Sequence, residues 1–223
     1  MTQKPPFELR SGPGRLSASI VYTVDESEPP LDHVDAARAR LYRVLAHTLV
    51  SHPGADLLAR MAALHGDDTE LGTTLRAIAG SATAERQEWT AEYDVLFIGV
   101  ARGELLPYAS FYLTGFLHER PLARLRADLA RLDLARADGR SDPEDHIATI
   151  CEVMATLIER QSPEEPGFFA RHLATWGTAF FNDLDRAASA RLYRPIGQLG
   201  RLLVDLDRQG FAYAEPLLSK GAA

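Results

Sequence analysis

Three features of the sequence predict an all-α protein. Apolar residues recur with a period near 3.6 through most of the chain after Asp35. No convincing alternating pattern of a half-buried strand occurs beyond the N-terminal stretch, and short turns join the helical segments. We therefore expect a single bundle of about nine helices over residues 35–223, preceded by an irregular tail over residues 1–34.

The tail is predicted from its proline and glycine residues, which prevent a long regular element. One alternating stretch within it, from Ser17 to Val24, could pair as a short strand or remain irregular. The residues that interrupt regular structure are Pro5, Pro6, Gly12, Pro13, Gly14, Pro29 and Pro30.

Apolar stripes at helical spacing mark the predicted helices in the first half of the domain. Each stripe places its side chains on one face of a helix, and glycine or polar residues bound it. We expect Gly99 to end the last of these helices. The stripes are Leu41, Val44, Leu45, Thr48 and Leu49; Leu57, Leu58, Met61 and Leu64; Leu71, Leu75 and Ile78; and Trp89, Tyr93, Leu96 and Phe97.

Similar stripes predict the helices of the second half. Ser141 and Glu144 have the spacing of a capping box before one of them. Pro195 either kinks the last helix or marks its start, because proline lacks the amide donor that a helix interior needs. The stripes are Leu122, Leu125, Leu129 and Leu132; Ile147, Ile150, Cys151, Met154, Leu157 and Ile158; Phe169, Leu173, Trp176 and Phe180; and Leu192, Ile196, Leu199, Leu203 and Leu206.

Charge and hydropathy argue against several classes of function. The 223-residue chain has a formal net charge of −7 and no stripe of lysine and arginine, so we expect no nucleic-acid partner. No run of about 18 apolar residues occurs, so we expect no membrane insertion and a cytoplasmic location. Arg10 and Arg15 are not adjacent, so the chain is not expected to carry a twin-arginine signal itself.

The single cysteine, Cys151, lies on the apolar face of a predicted helix and has no partner for a disulfide or a closed metal site. We expect it to be a buried hydrophobic side chain. The histidines also lack the spacing of helical metal sites. The sequence therefore predicts neither a metal nor another cofactor.

Two segments mix polar and aromatic residues in a way that core packing alone does not require. The first contains E-Y-x-x-L-F over Glu92–Phe97 and P-Y-x-S-x-Y over Pro107–Tyr112. The second contains D-P-x-D-H over Asp142–His146. In these segments the chain resembles the TorD/DmsD family of molybdoenzyme maturation chaperones, also called redox enzyme maturation proteins. Asp142 stands where that family usually has glutamate, and Val100 stands where proline is common.

The resemblance implies a TorD-like helical bundle without catalytic activity. Such a chaperone binds the twin-arginine leader and the apo form of a molybdoenzyme catalytic subunit, before cofactor insertion and export. The resemblance leaves open which enzyme is the client and whether the chain is a monomer or a homodimer. The implied leader-binding residues are Tyr93, Leu96, Phe97, Pro107, Tyr108, Tyr112, Asp142, Asp145 and His146.

A physical argument supports this site, although each residue also has a structural alternative. A leader joins a basic stretch to a moderately apolar one, so its receptor needs an apolar groove with carboxylates nearby. Aromatic residues at helical spacing are more often core residues, however, and the helix dipole alone favours acidic residues in a first turn. His146 is different, because a charged imidazole gains nothing from the positive end of a helix.

Enzymatic alternatives fit the sequence poorly. Ser110, Asp145 and His146 could be drawn as a hydrolytic triad, but Ser110 lacks the G-x-S-x-G turn. Cys151 and His146 could be drawn as a thiol pair, but Cys151 lies on an apolar face. We therefore predict no catalysis. The alternative function is a helical scaffold or adaptor that binds a folded partner without recognising leaders.

Overall fold

A computed structural model describes residues 7–9, 31–136 and 142–220, with side chains described for residues 31–135 and 142–213. This part of the chain contains ten α-helices, one π-helical turn and one pair of short strands. The prediction of an all-α fold is confirmed, with ten α-helices where about nine were expected.

The elements are numbered in chain order. The strands are β1 (Phe7–Leu9) and β2 (Leu134–Arg136), and the π-helical turn (Asp94–Ile98) directly continues α4. The helices are α1 (His33–Val50), α2 (Ala55–Ala62), α3 (Glu70–Ser81), α4 (Arg86–Tyr93), α5 (Ala109–Thr114), α6 (Arg120–Arg131), α7 (Ile147–Glu159), α8 (Glu165–His172), α9 (Gly177–Arg186) and α10 (Arg194–Lys220).

Helix α7 lies at the centre of the bundle because it is apolar on nearly every side. Almost all of its residues from Ile147 to Ile158 are buried, as expected for a helix surrounded by other elements. It packs along α1, whose Tyr42 and Leu45 are also fully buried. Helix α10 packs against α9, α3 and α1. The central helices therefore share one hydrophobic core.

Arginines of α1 pair with two buried carboxylates. Asp207 of α10 accepts hydrogen bonds from Arg38 Nε at 2.9 Å and from the Tyr42 hydroxyl at 2.7 Å. Glu152 of α7 contacts Arg43. Removing one partner of a buried ion pair costs about 3–5 kcal/mol. These contacts therefore favour one register of α1 against α7 and α10.

The two strands connect the start of the chain to the bundle. They pair antiparallel, with Phe7 opposite Arg136 and Leu9 opposite Leu134. The sequence did not predict β2, because three residues are too few to show alternation. The alternating stretch from Ser17 to Val24 lies outside the described residues.

The predicted start of the central helix is wrong. Helix α7 begins at Ile147 with His146 as its N-cap, and residues 142–145 precede it as a turn. Ser141, the predicted capping residue, lies outside the described residues. Glu144 instead forms an ion pair with Arg126 of α6 at 2.7 Å.

The single helix predicted across Phe169–Phe180 is two helices. Helix α8 ends at His172, and α9 begins at Gly177. The indole Nε1 of Trp176 donates a hydrogen bond to the carbonyl oxygen of His172 at 2.7 Å. This bond satisfies one of the carbonyls that lose their partners where α8 ends.

The structure decides between the two interpretations of Pro195. Helix α10 begins at Arg194, so the proline lies in its first turn. The missing N–H costs no helical hydrogen bond there, and the fixed φ angle suits a helix start. The proline therefore marks the start of the helix.

Candidate functional site

The two segments singled out in the sequence pair with each other. Tyr108 and His146 form an isolated antiparallel bridge between the segments. The N–H of Ala109 donates to the carbonyl of Asp145 at 2.9 Å, and the N–H of Ile147 donates to the carbonyl of Pro107 at 2.8 Å. The bridge joins the start of α5 to the start of α7, although the two segments are far apart in sequence.

Asp145 caps helix α5. Its Oδ2 accepts a hydrogen bond from the backbone N–H of Ser110 at 2.8 Å. The residue is 1% exposed, and its Oδ1 has no hydrogen-bond partner among the described residues. This carboxylate supports α5 from within the protein and is not on the surface.

His146 caps helix α7. Its Nδ1 accepts a hydrogen bond from the backbone N–H of Ala148 at 3.1 Å. Because Nδ1 is an acceptor, the neutral ring carries its proton on Nε2. The imidazole therefore serves this helix as an uncharged acceptor, which explains its place at a positive helix end. Asp145 and His146 are neighbours that cap different helices.

An aromatic cluster forms beside this bridge. The ring centroids of Tyr93 and Phe97 lie 5.0 Å apart, and Tyr193 packs against Phe97 at 5.6 Å. The π-helical turn closes with a hydrogen bond from the Gly99 N–H to the Asp94 carbonyl at 2.7 Å. Gly99 has φ of 62°, which favours glycine, and it ends the helix as predicted.

A groove of about 280 Å³ lies between the bridge, the aromatic cluster and the end of α1. We call this surface the groove. Four separate stretches of chain line it, and six of the nine predicted site residues take part. The lining residues are Val50, Ser51, His52, Tyr93, Phe97, Ile98, Pro107, Tyr108, Asp142 and His146.

The groove contains polar groups as well as aromatic rings. The side chain of Asp142 is exposed, and it belongs to the groove lining. His52 Nε2 lies 2.7 Å from Asp94 Oδ1, and the His52 ring contacts Tyr93 edge-on at 4.8 Å. The groove thus combines aromatic faces with carboxylates at its edge.

Tyr108 lies between the aromatic and acidic parts of the groove. Burial, together with the nearby carboxylates of Asp142 and Asp145, raises the pKa of its hydroxyl to about 12. Its ring also contacts His146 edge-on at 5.1 Å. The hydroxyl therefore remains a proton donor throughout the physiological range.

Three predicted site residues do not line the groove. Leu96 is fully buried in the core, and Asp145 is the buried cap described above. Tyr112 contacts another part of the protein, where its hydroxyl donates to Asp183 Oδ2 of α9 at 2.9 Å. Tyr112 also packs on Trp176 with the ring centroids 5.4 Å apart.

Four lining residues were missed by the sequence analysis. Val50 is the last residue of α1, Ser51 and His52 follow it, and Ile98 ends the π-helical turn. Ile98 is 53% exposed, which is unusual for a large aliphatic side chain next to an aromatic cluster. Its position directly after the E-Y-x-x-L-F segment could have indicated Ile98 as a site residue. No sequence signal pointed to the end of α1.

Glu92, the first residue of that segment, has a structural role. Its Oε1 accepts hydrogen bonds from the backbone N–H groups of Arg191 and Tyr193, both at 2.8 Å. Because Tyr193 packs on Phe97, this carboxylate holds the loop before α10 against the aromatic wall of the groove.

The groups considered for catalysis have other partners. The Ser110 hydroxyl is buried and accepts a hydrogen bond from the Glu119 N–H at 3.3 Å. His146 Nδ1 and Asp145 Oδ2 both accept backbone N–H groups of helices. Cys151 is fully buried, and burial raises the pKa of its thiol far above its usual value. These contacts do not form a triad or a thiol pair.

The described residues contain neither a candidate metal site nor a candidate membrane span. No group of three or more histidine, cysteine, aspartate or glutamate side chains there could hold a metal ion. No helix in residues 31–136 or 142–220 is both long enough and apolar enough to cross a bilayer.

These features define the class: an α-helical protein with an aromatic groove edged by carboxylates. A family model described as "Nitrate reductase delta subunit" matches residues 64–182, slightly more than half of the chain. The chain belongs to this family, which includes the TorD and DmsD proteins.

Individual relatives agree with this assignment. The chain is 28% identical over 112 residues to chaperone protein TorD of Actinobacillus succinogenes, covering 50% of this chain and 58% of the relative. It is 28% identical over 116 residues to the Tat proofreading chaperone DmsD of Haemophilus influenzae, covering 51% and 57%. The chain thus matches less than two thirds of the length of these relatives.

A solved structure supports the fold. The chain superposes with a TM-score of 0.53 on a protein from Archaeoglobus fulgidus described as a redox enzyme maturation protein. The superposition covers 75% of this chain and 93% of the other, at 20% identity. At this identity the similarity concerns the fold alone.

Proposed function

We propose that this chain is a cytoplasmic chaperone for a molybdoenzyme catalytic subunit. It binds the twin-arginine leader of the apo enzyme in the groove and keeps the enzyme from export until its cofactor is inserted. It catalyses no reaction itself. The names of the matched relatives support the proposal, since they are described as TorD and as a Tat proofreading chaperone.

One observation carries the proposal: three distant stretches of chain converge on the groove. Tyr93 and Phe97 come from the α4 region, Tyr108 from the start of α5, and Asp142 and His146 from the turn before α7. All five belong to the segments that resemble the family. A shared site is the simplest physical reason for these residues to meet around one groove.

The chemistry of the groove matches the two parts of a leader. The rings of Tyr93, Phe97 and Tyr108 offer apolar surface to the hydrophobic part of the peptide. Asp142 is exposed at the edge, where it can accept charge-assisted hydrogen bonds from an arginine guanidinium. Asp145 supports this arrangement from inside the protein by capping α5, so its contribution to binding is indirect.

The test is titration calorimetry with a synthetic leader peptide at two salt concentrations. Asp142→Asn should weaken binding by about 1–3 kcal/mol, the range for a hydrogen bond to a charged group, and this effect should shrink at high salt. Tyr108→Ala should weaken binding at both salt concentrations, because it removes apolar contact area. Tyr112→Phe is the matched control, since Tyr112 lies outside the groove.

Two results would contradict the proposal. One is unchanged affinity in both groove variants, provided that each melts like the wild type. The other is equal binding of a leader peptide in which glutamines replace both arginines, because the acidic edge would then have no part in recognition.

A second candidate function is that of an adaptor for a folded partner. The end of α5 and the loop after it expose Leu113, Phe116 and Leu117 on the surface, and Phe116 is 70% exposed. Such residues commonly mark protein interaction sites when they are grouped. A pull-down with Phe116→Ser and Tyr108→Ala variants separates the two functions. If the protein is an adaptor, Phe116→Ser should abolish capture of its partner. If it is a leader chaperone, Tyr108→Ala should abolish capture of an unprocessed precursor.

A further inference from the structure

Helix α1 ends at the groove with carbonyl groups that need partners. The last turn of an α-helix has carbonyls that no N–H group of the same helix reaches. Two tyrosine hydroxyls of the aromatic cluster act as donors there. The Tyr193 hydroxyl donates to the carbonyl of Thr48 at 3.3 Å, and the Tyr93 hydroxyl donates to the carbonyl of Leu49 at 3.5 Å. Both contacts are buried, and the next residue along α1, Val50, lines the groove.

Tyr193 contacts two walls of the groove from behind. One is the aromatic wall of Tyr93 and Phe97, whose ring centroids lie 6.2 and 5.6 Å from that of Tyr193. The other is the α1 wall of Val50–His52, which continues from the turn that the Tyr193 hydroxyl holds. Tyr193 itself is fully buried and is not part of the groove lining, so it does not touch a peptide bound there.

Further contacts fix Tyr193 in place. Its N–H donates to Glu92 Oε1 at 2.8 Å, and its ring contacts Trp89 edge-on at 4.9 Å. Burial raises the pKa of its hydroxyl well above the usual value, so the hydroxyl stays protonated and remains a donor at physiological pH. Glu104 anchors an earlier part of the same loop by accepting the N–H of Ala188 at 2.7 Å. The tyrosine is therefore held from its backbone, its ring and its hydroxyl.

We propose that Tyr193 is a positioning residue that sets the distance between the α1 wall and the aromatic wall of the groove. This inference rests on the proposed function, because its consequence is the affinity for the leader. The ring packs on Phe97 and the hydroxyl holds the last turn of α1, so one side chain joins both walls. Without the hydroxyl this link is lost, and the groove samples other widths. A peptide then meets its binding geometry only part of the time, which weakens its apparent affinity.

The first test measures the geometry of the groove without a leader. Tyr193→Phe keeps the aromatic ring and removes only the hydroxyl. The His52 ring belongs to the α1 wall and contacts Tyr93 edge-on at 4.8 Å, so the NMR chemical shift of its Cε1 proton reports the separation of the two walls. We expect this resonance, assigned with a His52→Gln sample, to move in Tyr193→Phe. An unchanged His52 resonance would overturn the inference.

Tyr42→Phe is the matched control for this test. Tyr42 is also fully buried, and its hydroxyl likewise links α1 to another element by donating to Asp207 Oδ2 of α10 at 2.7 Å. Both variants should lower the melting temperature, because each removes a buried hydrogen bond. Only Tyr193→Phe should move the His52 resonance. If both variants move it equally, the shift reflects a general loss of stability and the inference is wrong.

The second test is titration calorimetry with the leader peptide, at a temperature where both variants are folded. Tyr193→Phe should weaken leader binding about two- to tenfold, the range that loss of one hydrogen bond of ordinary strength can produce. The factor should be the same at low and high salt, because the hydroxyl carries no charge. Tyr42→Phe should bind the leader as tightly as the wild type. Wild-type affinity in Tyr193→Phe, or an equal loss in Tyr42→Phe, would refute the positioning role.

A second pair of variants acts on the backbone of Tyr193. Glu92→Ala removes the acceptor of the Tyr193 N–H and leaves the hydroxyl in the chain. Glu104→Ala removes the same charge and anchors of the same loop, but these anchors hold Ala188 and Ser189. Glu92→Ala should therefore weaken leader binding more than Glu104→Ala does. Equal losses would assign the effect to the loop as a whole and would contradict a specific role of Tyr193.

The tests separate this inference from the proposed function. If the His52 resonance moves in Tyr193→Phe but the wild type binds no leader, the positioning of the walls stands and the proposed function fails. If Asp142→Asn and Tyr108→Ala weaken leader binding while Tyr193→Phe does not, the proposed function stands and the positioning role fails.

Discussion

Asp145 offers the clearest distinction between a supporting residue and a binding residue. Asp145→Ala removes the acceptor of the Ser110 N–H, which lies 2.8 Å from Oδ2 in a buried setting. An unsatisfied buried donor costs about 1–3 kcal/mol, and loss of an N-cap costs a similar amount for the same bond. Removing Oδ1, which has no partner among the described residues, offsets part of this cost. We therefore expect the free energy of unfolding to fall by about 1–3 kcal/mol.

Thermal and urea unfolding followed by circular dichroism at 222 nm measure this change. For a chain of this size about 1 kcal/mol shifts the Tm by roughly 2–4 °C, so the variant should melt roughly 2–12 °C lower. Asp145→Asn keeps an oxygen that can accept the N–H of Ser110, so it should lose less stability. Asp142→Ala is the matched surface control and should change stability by less than about 0.5 kcal/mol. If Asp145→Ala melts like the wild type while leader affinity falls, the carboxylate contacts the peptide and the capping argument is wrong.

Three further outcomes follow from other side chains. Tyr112→Phe removes the hydrogen bond to Asp183 and should lower the free energy of unfolding, measured in urea, by about 0.5–1.5 kcal/mol. The affinity for the leader should not change, and a loss of affinity would place Tyr112 in the site. The pKa of the Tyr108 hydroxyl is raised to about 12 in the folded protein, whereas it is near 10 in the unfolded chain. The protonated hydroxyl therefore contributes its full stabilisation below pH about 10, and this contribution is lost as the pH rises from about 10 to 12. Tyr108→Phe should flatten that decline in pH-dependent unfolding, and an unchanged decline would assign it to other groups. Cys151 should not react with a thiol reagent in the native protein and should react in denaturant; rapid native reaction would contradict its burial.

The helical fold could be predicted because its helices have strong apolar periodicity. The stripe from Ile147 to Ile158 lies along a helix that is buried in the core, as the pattern indicates. Helix ends were less predictable. His146 is not among the residues that usually cap a helix, so a nearby serine and glutamate offered a better match to the capping pattern.

The convergence of the motif segments could be proposed from sequence, but the role of each side chain could not. Leu96 and Phe97 are adjacent and both apolar, yet one is fully buried and the other lines the groove. Periodicity assigns residues to a face of one helix and does not say which neighbour covers that face. Asp145 differs from the expectation for the same reason, since the backbone N–H that it accepts belongs to Ser110 in a distant segment.

The π-helical turn affects how this chain should be compared with its relatives. Such a turn holds one residue more than an α-helical turn of similar rise, and it commonly occurs at functional sites. Removing one residue from Asp94–Ile98 would restore the α-helical period and place Phe97 three positions after Tyr93 instead of four. The two rings would then meet at a different angle, and the wall that they form would change shape. A single-residue gap at this position in an alignment would therefore indicate a relative whose groove has a different shape.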